Sequence, residues 1–260
     1  MITLDRVNFS YHAETDEISV INNVSFDVKE GEFVSIIGPS GCGKSTILSL
    51  LSGLNFPSSG HITINKKTVR GPGKERCVVF QHYSLFPWMV AHTNITFGLE
   101  QQEHTTSKKE MAKIADKYLE LVGLGDVGHK FPNQLSGGMQ QRVAIARAFA
   151  MDSDVLLMDE PFSAVDAKNR MALQDLLLKL WHSGGKKKTV VFVTHDVDEA
   201  ILLSDRIIVL SIGKGIKDEV ELEFARPRNR TKLAKTESYH DLKHQLIESL
   251  FEELIEEEAA

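Results

Sequence analysis

Gly38-Pro39-Ser40-Gly41-Cys42-Gly43-Lys44-Ser45 fits G-x-x-x-x-G-K-[ST], a spacing at which glycines let backbone N–H groups converge on phosphate oxygens. The helix that follows adds partial positive charge at the same point. Lys44 is then placed to reach β and γ phosphates, Ser45 to ligate Mg²⁺ and Thr46 to meet the α phosphate. Cys42 lies close to this helix start, where a thiol is expected to be acidified; its alkylation is then expected to inactivate the protein and ATP to protect it. A buried, inert thiol is the other reading.

Val155 to Met158 is an apolar run that delivers two acids, Asp159 and Glu160. One carboxylate can hold Mg²⁺ through water and the other can polarise a water for attack on the γ phosphate. Asp159 closes the run and is assigned to the metal; Glu160, pointing past it, is assigned to the water. A solvated acidic turn is the bland alternative. Thr194-His195-Asp196 ends another apolar run, where an open α/β sheet puts its ligand contacts, so His195 is read as a γ-phosphate contact rather than a surface histidine. Gln81, after Cys77 to Phe80, has an amide that could reach Mg²⁺ or the attacking water, although alone it is uninformative. Ser136-Gly137-Gly138 offers a hydroxyl and open amides at the start of a second helix, Met139 to Ala150; the plainer reading is that Ser136 only caps that helix. Two anion-binding helix starts imply either two nucleotides or one nucleotide held by two chains.

The elements that must position these residues follow from hydrophobic patterning. Phe33 to Ile37, Val155 to Met158, Val190 to Val193 and Ile207 to Leu210 read as parallel strands buried on both faces. Helices alternate with them: Lys44 to Leu51, Met139 to Ala150, Lys168 to Trp181 stopping near Gly184-Gly185, and Asp196 to Leu203. Asp196 with Glu199, and Ser107 with Glu110, have capping-box spacing. Rough alternation from Ile18 to Val28, around Asn22-Asn23, predicts antiparallel strands. From about 84 to 152 helical patterns dominate, with Met111, Ile114, Ala115, Tyr118, Leu119 and Val122 on one stripe, which predicts an inserted helical subdomain. Residues 231–260 read as a separate acidic tail, mostly a solvated helix with Leu242, Leu246, Leu250 and Leu254 on one face.

Composition narrows the classes. The 260 residues are 42% hydrophobic and 25% charged, as in soluble globular chains, and the net charge of -6 makes nucleic acid a poor electrostatic partner. The longest apolar runs are strand-length, far below the roughly 20 residues that span a bilayer. Met1 to Asp5 lacks a signal-peptide pattern and there are only two cysteines, so a cytosolic, reducing setting is expected.

Leu135-Ser136-Gly137-Gly138-Met139-Gln140-Gln141-Arg142 resembles the signature motif of ABC-transporter ATPases. Gly38 to Ser45 resembles their Walker A motif, Val155 to Glu160 their Walker B, Gln81 their Q-loop and His195 their switch histidine, in the same order, across residues 2 to 212. The resemblance implies an α/β fold: a P-loop NTPase (RecA-like) core with an antiparallel β subdomain and an inserted helical subdomain, spanning 1–230. It also implies ATP hydrolysis with Mg²⁺ in a homodimer, where Ser136, Gly137 and Gly138 of one subunit close over ATP held by the other. Tyr11 matches the aromatic that stacks on adenine, and Ser163 to Asp166 match the D-loop at the dimer interface.

Within that family, Gly71-Pro72-Gly73, Phe80-Gln81, Leu85-Phe86-Pro87-Trp88, Asn94 and Arg226-Pro227-Arg228 look like the nitrate, sulfonate and taurine importer group. This implies transmembrane permease subunits docking near Tyr83 to Trp88, a solute-binding protein in the complete system, and residence on the cytoplasmic face of the membrane. Phe86 and Trp88 as core of the helical subdomain is the competing reading. Two rivals are weaker. A soluble ABC ATPase acting on nucleic acid or ribosomes should show coiled coils, tandem cassettes or a basic surface. A GTPase reading of Asn65-Lys66-Lys67-Thr68 has Thr where the base-reading carboxylate must stand.

Overall fold

The computed structural model describes residues 1–12, 17–81, 84–102, 107–183 and 187–258. From the amino end run β1 (Ile2–His12), β2 (Glu17–Val28), β3 (Phe33–Ile37), α1 (Lys44–Ser52), β4 (Ser59–Ile64), β5 (Lys67–Thr68) and β6 (Arg76–Val79). Next come α2 (Ala91–Glu100), α3 (Lys108–Leu121), α4 (Gly137–Ala150), β7 (Val155–Asp159) and α5 (Ala167–Ser183). Last are β8 (Thr189–Val193), α6 (Val197–Leu203), β9 (Arg206–Ser211), β10 (Gly215–Glu221), α7 (Arg230–Leu233) and α8 (Glu237–Glu258). Contacts divide the chain into two compact units, residues 1–72 with 189–260, and residues 73–188.

In the first unit β3 pairs in parallel with both β8 and β9, and β10 returns antiparallel along β9. Every residue of β3 and β8 is buried, including the polar Ser35 and Thr189, which is why both read as mostly apolar runs rather than alternations. A separate antiparallel sheet has the order β2-β1-β4-β5. Asn22-Asn23 lies within one strand, β2. Asn23 takes a φ of 49° and donates its N–H to Asn8 Oδ1 at 2.8 Å, while the register with β1 shifts nearby; one continuous β2 absorbs the irregularity as a bulge. Asn65 and Lys66, with φ of 51° and 63°, form the two-residue turn joining β4 to β5. That turn geometry accounts for the asparagine without any nucleobase.

The carboxyl-terminal helix departs from the solvated reading. Leu246 of α8 is fully buried and Tyr239 nearly so, and α8 packs on α6 and β9. A leucine removed from water in this way stabilises the docked state by about 1.5–3 kcal/mol.

In the second unit β6 and β7 pair in parallel, Arg76 opposite Val155. Helices α2, α3 and α4 pack on one another, with Ala115, Leu119 and Val122 of the predicted stripe buried. Ser107 and Glu110 form the expected reciprocal cap of α3. The proposed stop of α5 at Gly184-Gly185 lies outside the described residues; α5 is described to Ser183. Among the described residues no helix is long and apolar enough to cross a membrane.

Candidate functional site

Strand β3 carries the chain to Gly38, and the loop 38–43 feeds α1 directly. Two glycines are obligatory there for different reasons. A Cβ on Gly38 would lie 2.6 Å from both Cys42 Sγ and the Leu210 carbonyl oxygen. Gly43 sits at φ 99° as the α1 cap, where a Cβ would meet Ile21 Cδ1 at 2.4 Å. Lys44 is buried, its ammonium donating to the Gly38 and Pro39 carbonyls at 2.9 and 2.7 Å, which holds the loop curled around the side chain. Ser40, Gly41 and Ser45 are exposed, and Thr46 is buried with its hydroxyl 3.5 Å from that of Tyr11. Tyr11 packs edge-on against Phe9, yet 45% of its surface remains open, enough for a flat ring to stack.

Cys42 corrects the alkylation expectation. It is 3% exposed, wedged beneath Gly38 and 3.9 Å from Lys44 Nζ. This burial favours the buried reading of the thiol.

At the end of β8, Thr194 is buried and His195 is exposed. The Thr194 hydroxyl donates to Glu199 Oε2 at 2.7 Å and accepts the Asp196 N–H at 3.0 Å. Asp196 caps α6 by accepting the Glu199 N–H at 3.1 Å. The capping box predicted for Asp196 and Glu199 is therefore one-sided: the buried Glu199 carboxylate goes to Thr194, because a buried anion gains more from a hydroxyl in its own pocket than from a rim amide. The consequence is a His195 backbone braced on both sides.

The second unit holds Asp159 and Glu160, both half-buried at the end of β7. Glu160 has φ 41°, a left-handed conformation costly for a non-glycine residue. Its carbonyl accepts both the Ser163 N–H at 3.2 Å and the Ser163 hydroxyl at 3.0 Å, which fixes the turn. Asp166, exposed, accepts from Asn169 through the backbone N–H at 3.1 Å and the side-chain amide at 2.7 Å; the side-chain bond is the larger cause of its lowered pKa. Asn169 was not singled out by sequence reasoning, and it is also the nearest neighbour of a Cβ placed on Gly138, at 3.6 Å. Aspartate followed three residues later by asparagine is a capping-type spacing that could have found it.

Ser136 is the exposed cap of α4, accepting the Met139 N–H at 3.4 Å, and Gly137 and Gly138, half-buried and without side chains of their own, open the helix. Gln81 is exposed beyond β6. Tyr83 lies outside the described residues. Phe86 is half-buried and packs against Phe97, with ring centroids 4.8 Å apart, whereas Trp88 is 69% exposed, so neither is a fully buried core residue and the second stands clear of the core. Buried Asn94 sets this turn, accepting the Phe86 N–H at 2.8 Å and donating to the Met89 carbonyl at 2.9 Å.

The first unit thus brings together Tyr11, the 38–46 loop and His195, and the second holds Gln81, Ser136 to Gly138, Asp159, Glu160 and Asp166. The pattern of the ABC transporter family matches residues 21–163, more than half the chain. The chain belongs to the ABC transporter family. An uncharacterized ABC transporter ATP-binding protein of Methanocaldococcus jannaschii is 48% identical to this cassette over 219 residues, 84% of this chain and 80% of that protein. The nitrate transport protein NasD of Klebsiella oxytoca is 42% identical over 255 residues, 97% of each. A dimeric ATP-binding cassette solved in a post-hydrolysis state with ADP and Pi superposes with a TM-score of 0.75 at 35% identity, covering 86% of this chain and all of that one. The α/β fold is that of an ABC ATPase cassette, and the chain is an ATP-binding, ATP-hydrolysing subunit of the kind that dimerises and works with permeases.

Proposed function

We propose that the cassette drives a membrane importer of nitrate or a related small anion, working as a homodimer in which each ATP is clasped by both copies. Its likeness to the nitrate transport protein NasD supports the solute class. The observation that carries the dimer reading is the signature turn: an exposed serine cap followed by two side-chain-free helix amides, built like an anion site but without a lysine of its own. Such a turn suits a phosphate delivered by a second copy.

On this reading Tyr11 stacks on adenine, the amides of 38–46 cradle the phosphates, and Lys44 exchanges its loop carbonyls for β- and γ-phosphate oxygens. Glu160 orients and deprotonates the attacking water, and His195 contacts the γ phosphate. Ser136, Gly137, Gly138 and Asp166 act on the partner's nucleotide. The hard oxygen donors Ser45, Asp159 and Gln81 fit Mg²⁺, which is held chiefly by water and phosphate; among the described residues no cluster of three or more His, Cys, Asp or Glu side chains could hold a metal by itself. When bound, Mg²⁺ would neutralise developing phosphate charge. Asp159 would anchor a water of its shell, Ser45 would donate an oxygen directly, and Gln81 would orient its amide oxygen toward the same shell. Trp88 offers a hot spot for a permease segment, which would keep the cassette at the cytoplasmic membrane face beside a solute-binding protein's transporter.

The test is Glu160→Gln with saturating Mg-ATP, followed by light scattering. A stable ATP-bound dimer is expected, because the amide keeps the turn and cannot take the water's proton. A variant that stays monomeric contradicts the proposal.

A further inference from the structure

Helix α6 spans seven residues and begins at the Asp196 cap, immediately after His195. A helix that short has no stability of its own, since isolated helices need about 12–15 residues. Six of its seven residues are buried and it packs on β3 as well as on α8; the carboxyl-terminal segment adds a grip at both ends, which sets how firmly α6 holds the His195 turn.

At the carboxyl end, Arg228 donates through Nη1 to the carbonyls of Ile201, at 2.8 Å, and Ser204. Arg226 donates to the Leu203 carbonyl and to Asp205 Oδ1, each at 2.6 Å. These are the carbonyls that a helix end leaves without partners. Burial and the neighbouring Arg226 push the Arg228 guanidinium down to about 10, a sign of how far it is drawn from water. In the first turn, Asp198 accepts the Tyr239 hydroxyl on one carboxylate oxygen and the Lys243 ammonium, at 2.8 Å, on the other. Both donors lie on α8, which is itself anchored by buried Leu246 and by Lys217 Nζ donating to the Ser249 carbonyl at 2.7 Å. The Arg226-Pro227-Arg228 stretch, noted in the sequence only as a group feature, thus has a mechanical job.

We propose that residues 226–243 form a clasp on α6 that sets the position of His195, making Arg228, Tyr239 and Lys243 positioning residues for ATP hydrolysis. The clasp rests on the reading of His195 as a γ-phosphate contact. Displacing α6 moves its cap Asp196 and draws Glu199 from the Thr194 hydroxyl, and so shifts the backbone that aims the imidazole, while the Thr194 N–H stays held to the Ile36 carbonyl and the phosphate loop and Tyr11 stay as they are. The clasp therefore acts on turnover and not on nucleotide affinity.

The experiment compares four full-length proteins: wild type, His195→Ala, Tyr239→Phe with Lys243→Met, and the triple variant. Loosening α6 is expected to lower kcat about tenfold with KM unchanged within about twofold, the split that marks a transition-state effect. The triple variant should hydrolyse ATP no more slowly than His195→Ala alone, because a mis-aimed imidazole and a missing one fail alike. A purely structural role would instead make the losses multiply and raise KM, which overturns the clasp. If the paired substitution unfolds the chain, Lys243→Met alone and the charge exchange Asp198→Lys with Lys243→Asp replace it, the exchange restoring turnover if the clasp is real and leaving it low if not. An unchanged kcat in His195→Ala overturns the histidine assignment and the clasp together; a lowered kcat there with wild-type turnover in the clasp variants overturns the clasp alone.

Discussion

Gly138→Ala separates folding from function at one methyl group. Gly138 is the second residue of α4 and is not among the glycines with positive φ. The nearest neighbour of a Cβ there is Asn169, at 3.6 Å, an ordinary van der Waals contact. The protomer accommodates alanine without strain, and the loss of unfolded-state freedom stabilises it by about 0.4–1 kcal/mol. For a chain of this size that raises the melting temperature by about 1–4 °C. A phosphate oxygen bonded to this turn approaches the amide to about 2.9 Å. A methyl carbon beside it keeps its neighbours at about 3.5 Å or more, so the partner's phosphate is pushed off its donors. Losing one such preorganised donor costs about 2.7–4 kcal/mol, or 10²–10³ in kcat. Calorimetry and a steady-state phosphate-release assay on the same preparation give both numbers. Wild-type hydrolysis would refute the phosphate contact, and a melting temperature lowered by several degrees would refute the geometry at α4.

The remaining predictions concern the His195 turn. Thr194→Val keeps the shape and removes a hydroxyl that serves both the buried Glu199 carboxylate and the Asp196 amide, so stability should fall by about 1–3 kcal/mol, read by thermal melting, with turnover falling alongside. Burial pushes the Asp198 carboxyl up, but hydrogen bonds from Lys243 and Tyr239 and the charges of Lys243 and Arg230 outweigh it and hold the pKa below the ordinary aspartate value. A depressed folded-state pKa means that this contact stabilises fully above the unfolded value, near about 4, and is lost as the pH falls through the lower folded value. Amide exchange in α8 should therefore accelerate on acidification below about pH 4 by more in wild type than in Lys243→Met. Equal acid sensitivity in the two proteins would contradict the assignment.

Strands β3, β7 and β8 were legible because strands buried on both faces leave mostly apolar runs, broken in β3 only by Ser35, and the residues that matter lie at or just past their ends: Gly38, Asp159 and His195. The phosphate loop was legible because its geometry admits few residue types, as Gly38 and Gly43 show. The docking of α8 was not. Leucines at 242, 246, 250 and 254 share a stripe whether the helix is solvated or packed, and only a distant partner decides which of them is buried. Cys42 misled for a related reason: proximity to a helix start is visible in sequence, whereas burial beneath Gly38 depends on how the loop folds back. The turn at Asn65-Lys66 lacks the glycine that usually marks this hairpin, so only the backbone angles reveal it.

The central claim is that one copy supplies the phosphate loop and the other the signature turn of each nucleotide site. Its most direct measurement mixes a Lys44→Ala copy with a Gly138→Asp copy, whose carboxylate repels phosphate while sitting favourably at a helix start. Nucleotide retained after rapid gel filtration in Mg-ATP is then counted. The account predicts one retained nucleotide per mixed dimer and none with either variant alone. A mixture that retains no more nucleotide than either variant alone would show that both elements of each site come from the same chain.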